Sequence, residues 1–345
     1  MSLHSQSDQR PLTKARSPQS HVQSSQDEEA AAHTNWVKKG RIFTPDNNTD
    51  WMVSHANFPV VDAVDAETLR IYLGVRDGDG YTRTTYIEVD ADDPSTVKHV
   101  RDEEPVLGFG DLGAFDDTGV HPSWILDHGG MKYLYYTGWN AGVSVGYRNS
   151  IGLAISDDGG ETFTRMFKGP LVDRTPTEPQ WTSTPAVMID QGVWRMWYLN
   201  ATHWERIDGK PEPVCHIKYA ESNDGIHWQR DGIVCIDLAS EEEGAIARPC
   251  VLFEDGIYKM WYSYRGRRDY RSDPSQSYRI GYAESDDGIS WTRKDDAAGI
   301  GVSATGWDSQ MVEYAFVYNH QGTRYLFYNG NGFGESGLGY AVAEE

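Results

Sequence analysis

Two histidines, an arginine and several carboxylates stand where short apolar runs begin. His55 and Asn57 precede Pro59-Val-Val61. Asp116, Asp117, His121 and Ser123 lead into Trp124-Ile-Leu126, and Glu178, Thr182 and Thr184 into Ala186-Val-Met-Ile189. Glu243 and Arg248 precede Cys250-Val-Leu-Phe253, and Asp308, Gln310 and Glu313 precede Ala315-Phe-Val-Tyr318. If these starts converge in space, the chemistry on offer is proton transfer. One carboxyl held neutral and one kept ionised supply acid and base, an imidazole carries a proton near neutral pH, and a guanidinium stabilises developing negative charge. Asp117, His121, Glu313 and Arg248 are therefore the candidate catalytic groups. Glu313 stands out because Met311, Val312, Tyr314 and Ala315 surround it.

A second set follows a group of aromatic runs: Gly138-Trp-Asn140, His203-Trp204, Arg265-Gly-Arg-Arg268 and Asn329-Gly-Asn331. Trp139 and Trp204 offer flat apolar faces to a sugar ring, a residue type that serves packing equally well. Asn140, Asn331 and Arg265 offer hydrogen bonds to hydroxyls or a carboxylate. With His55, Asn57 and Thr184 they form the expected substrate-binding set. Arg265, Arg267 and Arg268, with Arg148, Arg248 and Arg279, point to an anionic group on the ligand. No His-Glu-x-x-His spacing, Gly-rich dinucleotide turn or Gly-x-Ser-x-Gly elbow occurs, so no resident cofactor is expected. His55, His121 and a carboxylate meeting on an axis could make a mixed metal site, and the acids would suit a hard cation such as calcium.

The elements that must position these residues repeat along the chain. Ile151-Gly-Leu-Ala-Ile-Ser-Asp-Asp-Gly is echoed by Ile217-Lys-Tyr-Ala-Glu-Ser-Asn-Asp-Gly and Ile280-Gly-Tyr-Ala-Glu-Ser-Asp-Asp-Gly, and Leu338-Gly-Tyr-Ala341 is a truncated copy. Upstream of each copy lies an aromatic run (Tyr133–Tyr136, Trp194–Tyr198, Tyr258–Tyr262, Tyr325–Tyr328), and upstream of that one of the apolar runs above. Each unit reads strand, turn, aromatic strand, loop, strand, Asp-Gly hairpin, strand, which is the pattern of a four-stranded propeller blade. Asp158, Asp224 and Asp287 belong to the hairpins, where Asp bonds backbone amides and Gly takes positive φ. Thr68–Leu73 supplies the second strand of a degenerate first unit. The last unit lacks a fourth strand, and Trp36-Val-Lys-Lys-Gly40 matches Trp228-Gln-Arg-Asp-Gly232. The expected fold is all-β: a five-bladed β-propeller of four-stranded antiparallel blades over residues 36–345, closed by an N-terminal strand. Residues 1–35, poor in large apolar types, read as a disordered tail.

Composition narrows the partners. The net charge of −21 argues against a nucleic acid or an anionic membrane surface. Apolar runs are strand-sized, far short of a membrane span. The first residues show no basic segment followed by an apolar one, which sets an expectation of cytoplasmic location. The three cysteines, Cys215, Cys235 and Cys250, have no metal-site spacing and read as free thiols. The expected partner is a small-molecule or oligosaccharide substrate with an anionic group.

Five units with Ser-Asp-Asp-Gly-x-x-Trp hairpins resemble the five-bladed propellers of the invertase/arabinanase superfamily, which includes glycoside hydrolase families 32 and 43. The likeness is closest to uncharacterised bacterial members. It implies a carbohydrate-active enzyme with carboxylates around an axial pocket, two of which do acid/base or nucleophilic work. Where that family opens its first blade with an Asp-Pro type motif, this chain has Ser54-His-Ala-Asn-Phe-Pro59, and Asp62 follows further along. The departure admits two alternatives to hydrolysis: a repurposed propeller catalysing elimination, transfer or cyclisation, and a carbohydrate-binding propeller without catalysis.

Overall fold

The computed structural model describes residues 34–344. The tail expected over residues 1–35 lies outside the described residues except for its last two. Twenty strands make up nearly all of the regular structure. They are β1 (Asn35–Phe43); β2 (Ser54–Ala63), β3 (Thr68–Arg76), β4 (Thr82–Asp90) and β5 (Val97–Val100); β6 (Gly119–His128), β7 (Met131–Ala141), β8 (Tyr147–Ser156) and β9 (Thr164–Arg165); β10 (Thr182–Asp190), β11 (Val193–Ile207), β12 (Lys210–Ser222) and β13 (Val234–Ile236); β14 (Glu243–Glu254), β15 (Ile257–Gly266), β16 (Arg279–Ser285) and β17 (Thr292–Arg293); β18 (Glu313–His320), β19 (Thr323–Asn329) and β20 (Leu338–Glu344). Among the described residues helical structure is limited to single turns at Asp295–Ala298 and Asn331–Gly334.

Within β2–β5, β6–β9, β10–β13, β14–β17 and β18–β20 the strands pair antiparallel with their chain neighbours. Single parallel pairs, Thr82↔Gly119 and Cys215↔Ala245, join β4 to β6 and β12 to β14. β18, β19 and β20 continue into β1, which pairs antiparallel with β20 from Asn35↔Glu344 to Phe43↔Leu338. All three cysteines are buried and free.

The repeated sequence has a direct physical use. In the motif Ile-Gly-x-Ala, the glycine lies opposite the tyrosine of the preceding aromatic strand: Gly152 faces Tyr136, Gly281 faces Tyr262 and Gly339 faces Tyr328. A Cβ on Gly152 would come within 2.2 Å of the Tyr136 ring. The glycine lets the ring lie across the strand and carry its hydroxyl to a carboxylate: Asp116 for Tyr136, Asp295 for Tyr262, Asp308 for Tyr328. The odd copy has Lys218 opposite Tyr198, and there the lysine itself bonds Glu178 at 3.0 Å.

The Ser-x-Asp-Gly hairpins are tied the same way in each copy. Ser156 Oγ accepts from the Gly160 amide, and Asp158 accepts from the amides of Glu161 and Thr162. Ser222 with Asp224, and Ser285 with Asp287, repeat this. Each hairpin also receives a bond from the unit before it. Tyr72 Oη donates to the Gly160 carbonyl (2.8 Å), Tyr135 Oη to that of Gly225 (2.8 Å) and Trp197 Nε1 to that of Gly288 (2.7 Å). Tyr325 Oη, near the end of the chain, donates to the Ala91 carbonyl (2.7 Å) near its start.

Replacing Tyr135 by Phe keeps the ring and removes one such donor, leaving the buried Gly225 carbonyl with only its bond from Trp228 Nε1 (3.1 Å). The expected loss is about 1–2 kcal/mol, seen as a lower urea midpoint at unchanged m-value. A wild-type midpoint would show that the bond does not hold the units together.

Candidate functional site

Strands β2, β6, β10, β14 and β18 are each interrupted at one equivalent point. Register shifts fall between Asn57 and Val60, Pro122 and Trp124, Ser183 and Ala186, Ala247 and Cys250, and Glu313 and Phe316. Phe58, Thr184, Arg248 and Tyr314 sit in these bulges with φ of 55°, 41°, 53° and 57°. Such left-handed backbone is costly away from glycine and gathers at functional sites. Three of these residues are held by a side chain of the preceding unit: the Thr184 amide donates to Thr137 Oγ1 (2.9 Å), the Tyr314 amide to Ser263 Oγ (2.8 Å) and the Phe58 amide to Asn329 Oδ1 (3.4 Å).

Just before the bulges, at matching positions, stand Asn57, His121, Ser183, Ala247 and Glu313. Their cross-strand partners are Gly74, Thr137, Leu199, Ser263 and Asn329. Two residues further along those second strands come Arg76, Trp139, Ala201 and Arg265, and Asn331 just past β19.

These elements enclose a cavity of about 370 Å³, the size of a small-molecule site. Of the sequence candidates, Asn57, His121, Trp139, Thr184 and Arg265 line it. Its other polar and aromatic walls are Phe58, Arg76, Thr137, Tyr147, Asn149, Trp181, Ser183, Tyr270, Arg271, Tyr278, Tyr314 and Phe333, and among the described residues no Asp or Glu lines it. His121 packs its ring on Phe58 (centroids 4.6 Å apart), and Phe58 stacks on Tyr314 at 4.1 Å. His121 Nδ1, Asn57 Oδ1 and Thr184 Oγ1 are buried without a hydrogen-bond partner. The Asn57 amide is oriented by donating to the Phe333 carbonyl (3.1 Å). Arg265 is stacked 3.7 Å over Tyr270 and donates to the carbonyls of Pro213 and Gly266.

The remaining candidates lie elsewhere. Asp117 folds back on its own loop and accepts the Gly113 amide (2.9 Å). Glu313 is fully buried behind the cavity wall, its Oε1 taking a bond from Asn329 (2.6 Å) and its Oε2 unpaired. Arg248 is likewise fully buried, donating to the carbonyls of Pro122 and Pro59 from two other units. His55 sits beside the cavity between Ser54 Oγ (2.9 Å) and Arg76 (3.1 Å). Trp204 belongs to side grooves, packed against Tyr147 and Trp181. Asn140 lies on β7 outside the lining. Asn331 accepts the amides of Gln310 and Met311 and shapes that loop.

The other acids near the strand starts are occupied. Asp116 pairs with Arg165, Glu178 with Lys218 and Arg230, Glu243 with Arg293, and Asp308 with Lys38. Asp62 is taken by Lys132 at 2.6 Å. Of the basic cluster, Arg267 pairs with Glu205 and Arg279 donates to backbone carbonyls. Sequence reasoning missed Arg76, Arg271 and the tyrosine wall. Arg76 was findable, because it stands three residues past the run Thr68–Leu73, as Trp139 does past Tyr136 and Arg265 past Tyr262. Phe333, on a helical turn with positive φ, left no sequence signal.

Burial sets the protonation states. The His121 pKa is driven well below its ordinary value by burial first, then by Arg76 and Arg248. That of His55 falls to about 4, again by burial first and then Arg76. Burial pushes the Glu313 carboxyl well up, only partly opposed by Asn329 and Arg76, and raises the phenols of Tyr147, Tyr278 and Tyr314. The site thus holds neutral imidazole, neutral phenols and charged guanidinium. Among the described residues no three His, Cys, Asp or Glu side chains gather as a metal-ligand set. His55 and His121 both lie in the field of guanidinium groups, which repels a cation.

No protein-family model matches the chain. Two Mycobacterium tuberculosis proteins, each described only as uncharacterized, are similar to it over 309 residues: MT1551 of strain CDC 1551 / Oshkosh at 39% identity and Rv1502 of strain ATCC 25618 / H37Rv at 38%. Each alignment covers 90% of this chain and 99% of the relative. Among solved structures, a glycosyl hydrolase from Bacteroides ovatus superposes with TM-score 0.65 at 17% identity, over 90% of this chain and 94% of that one. A thermostable family-43 glycoside hydrolase gives 0.59 at 19%, over 86% and 90%. The α-L-arabinofuranosidase PaAbf62A from Podospora anserina, in complex with cellotriose, gives 0.62 at 11%, over 91% and 98%. At such identities the likeness establishes the fold, the β-propeller of these glycoside hydrolases.

A histidine whose folded pKa is lowered resists a proton that the unfolded chain accepts. Stability from this source is full above the ordinary value of 6.5 and is lost as pH falls towards the folded values. Urea midpoints are expected to fall between about pH 6.5 and pH 4, and to fall less steeply in His121→Gln. Parallel curves for the two proteins would contradict a neutral buried His121.

Proposed function

The chain belongs to the family of the mycobacterial proteins MT1551 and Rv1502, and we propose that it is a carbohydrate-active propeller that takes an anionic, sugar-derived molecule into its central cavity and moves a proton there through His121. The strand pairing supports five four-stranded blades, with β1 completing the last of them beside β20. The neighbours of known structure, one of them in complex with cellotriose, favour a saccharide-type ligand.

One observation carries the reading: among the described residues the cavity is walled by aromatic rings and guanidinium groups and by no carboxylate. Hydrolysis by two carboxylates needs both groups at the scissile bond. Here Asp117 is engaged in its own loop, and Glu313 is buried behind the wall with its proton retained. What the walls can do is assist proton abstraction beside an anion. Neutral His121, with Nδ1 free of any protein partner, accepts the proton. Arg265 or Arg76 neutralises the adjoining carboxylate as negative charge spreads onto it, and a neutral phenol such as Tyr314 or Tyr278 protonates the departing oxygen. Elimination from a uronic acid glycoside has that requirement: a C–H and a C–O bond break, a C=C bond forms, and no water is consumed.

The test is calorimetric binding of glucuronate, glucose 1-phosphate and glucose, together with ultraviolet detection of an unsaturated uronate from oligoglucuronides. The anionic sugars are expected to bind and glucose not to bind. Arg265→Gln should weaken binding about 10- to 100-fold, the loss of a charge-assisted hydrogen bond. His121→Gln should abolish product while leaving binding intact. Binding with no product from any uronide would make the protein a carbohydrate-binding module, and equal binding of glucose would remove the anionic reading.

A further inference from the structure

Guanidinium groups inside a protein are ordinarily matched by carboxylates, because an unpaired buried charge is costly. This chain has carboxylates to spare, 52 against 31 basic residues, and most of its inward cations are matched: Arg70 by Glu88, Lys218 by Glu178, Arg293 by Glu243 and Asp295. Arg76, Arg248 and Arg265 are not. Among the described residues none of the three has a carboxylate oxygen within ion-pair distance, and each has a buried Nε with no partner. Arg248 is held by backbone carbonyls away from the cavity. Arg76 and Arg265 reach it.

The blade register separates these two. Arg76 lies two residues beyond Gly74 on β3, and Arg265 two beyond Ser263 on β15. They occupy the same position on different blades, and their counterparts are Trp139, Ala201 and Asn331. Around the mouth the order is Arg76, Trp139, Ala201, Arg265, Asn331. The two cations are thus never neighbours, with Asn331 between them on the short way round. Their supports differ as well: Arg76 bonds His55, whereas Arg265 lies on Tyr270. They form two separate poles rather than one clamp. A single anionic group placed at either pole leaves the other unneutralised.

We infer that the ligand carries two anionic groups, one seated at Arg76 and the other at Arg265, with its ring against the aromatic wall between them. The inference rests on the central cavity being the ligand site, as proposed above, and it narrows the ligand to a doubly anionic sugar derivative such as a phosphorylated uronic acid.

The test is a selenate soak of crystals of the full chain, read by anomalous scattering, with calorimetric binding of glucuronic acid 1-phosphate and glucose 1-phosphate alongside. Two cavity peaks are expected, one at each guanidinium, with Arg76→Gln losing only the first and Arg265→Gln only the second. The doubly anionic sugar should bind at least about tenfold more tightly than glucose 1-phosphate, the effect of one further charge-assisted contact. A single cavity peak, or equal binding of the two sugars, overturns the two-pole inference and leaves the anionic-ligand reading standing. Selenate confined to the outer surface overturns both.

Discussion

The fold rests on a hydrogen bond made between neighbouring units rather than within them. An aromatic donor on the second strand of one unit reaches the glycine carbonyl in the hairpin of the next, as Tyr72 does to Gly160, Tyr135 to Gly225 and Trp197 to Gly288. At two of the three acceptors the contact leaves no room for a side chain. A Cβ on Gly160 would come within 2.1 Å of the Tyr72 hydroxyl, and one on Gly225 within 2.7 Å of the Trp194 ring. These glycines also have φ of 86°, 73° and 76°, a region that disfavours other residues. The hairpin serine and aspartate hold the turn in that shape. The bond thereby fixes the spacing of the units and makes their first strands face one another.

Given that spacing, the distribution of acids follows from a second repeated device. The strand-start carboxylates Asp116, Glu178 and Asp308 are each drawn to a tyrosine hydroxyl and to a cation. They brace the units from within and stay off the cavity. In a molecule of net charge −21, this leaves a concave site whose fixed charges are all positive. Low-dielectric walls focus such a field on an entering anion.

Burial then tunes the chemistry without a special catalytic pair. The same desolvation that keeps the His121 imidazole neutral raises the Glu313 carboxyl and the tyrosine phenols. Neutral acceptor and neutral donors coexist near guanidinium groups that cannot lose their charge. The left-handed backbone at Phe58, Thr184, Arg248 and Tyr314 aims side chains that a regular strand would turn to alternate faces.

Whatever is local could be read from the order of residues alone. The Ile-Gly-x-Ala strands, the Ser-x-Asp-Gly hairpins and the aromatic strands before them were legible because turn chemistry and side-chain alternation act over a few residues and recur at a steady spacing. The same pattern placed His121, Asn57, Thr184, Trp139 and Arg265 near the centre. Which strand-start residue faces the cavity was left to the folded chain. The shared bulge does not decide it: at matching points Tyr314 lines the cavity and Arg248 is fully buried behind it, and His121 lines the cavity where Glu313 does not. Pairing partners far along the chain, such as Arg165 for Asp116 and Arg230 for Glu178, decided which charges were spent on the scaffold and which remained free for a ligand. No local spacing carries that information, because it depends on which chain segments meet once the units are side by side.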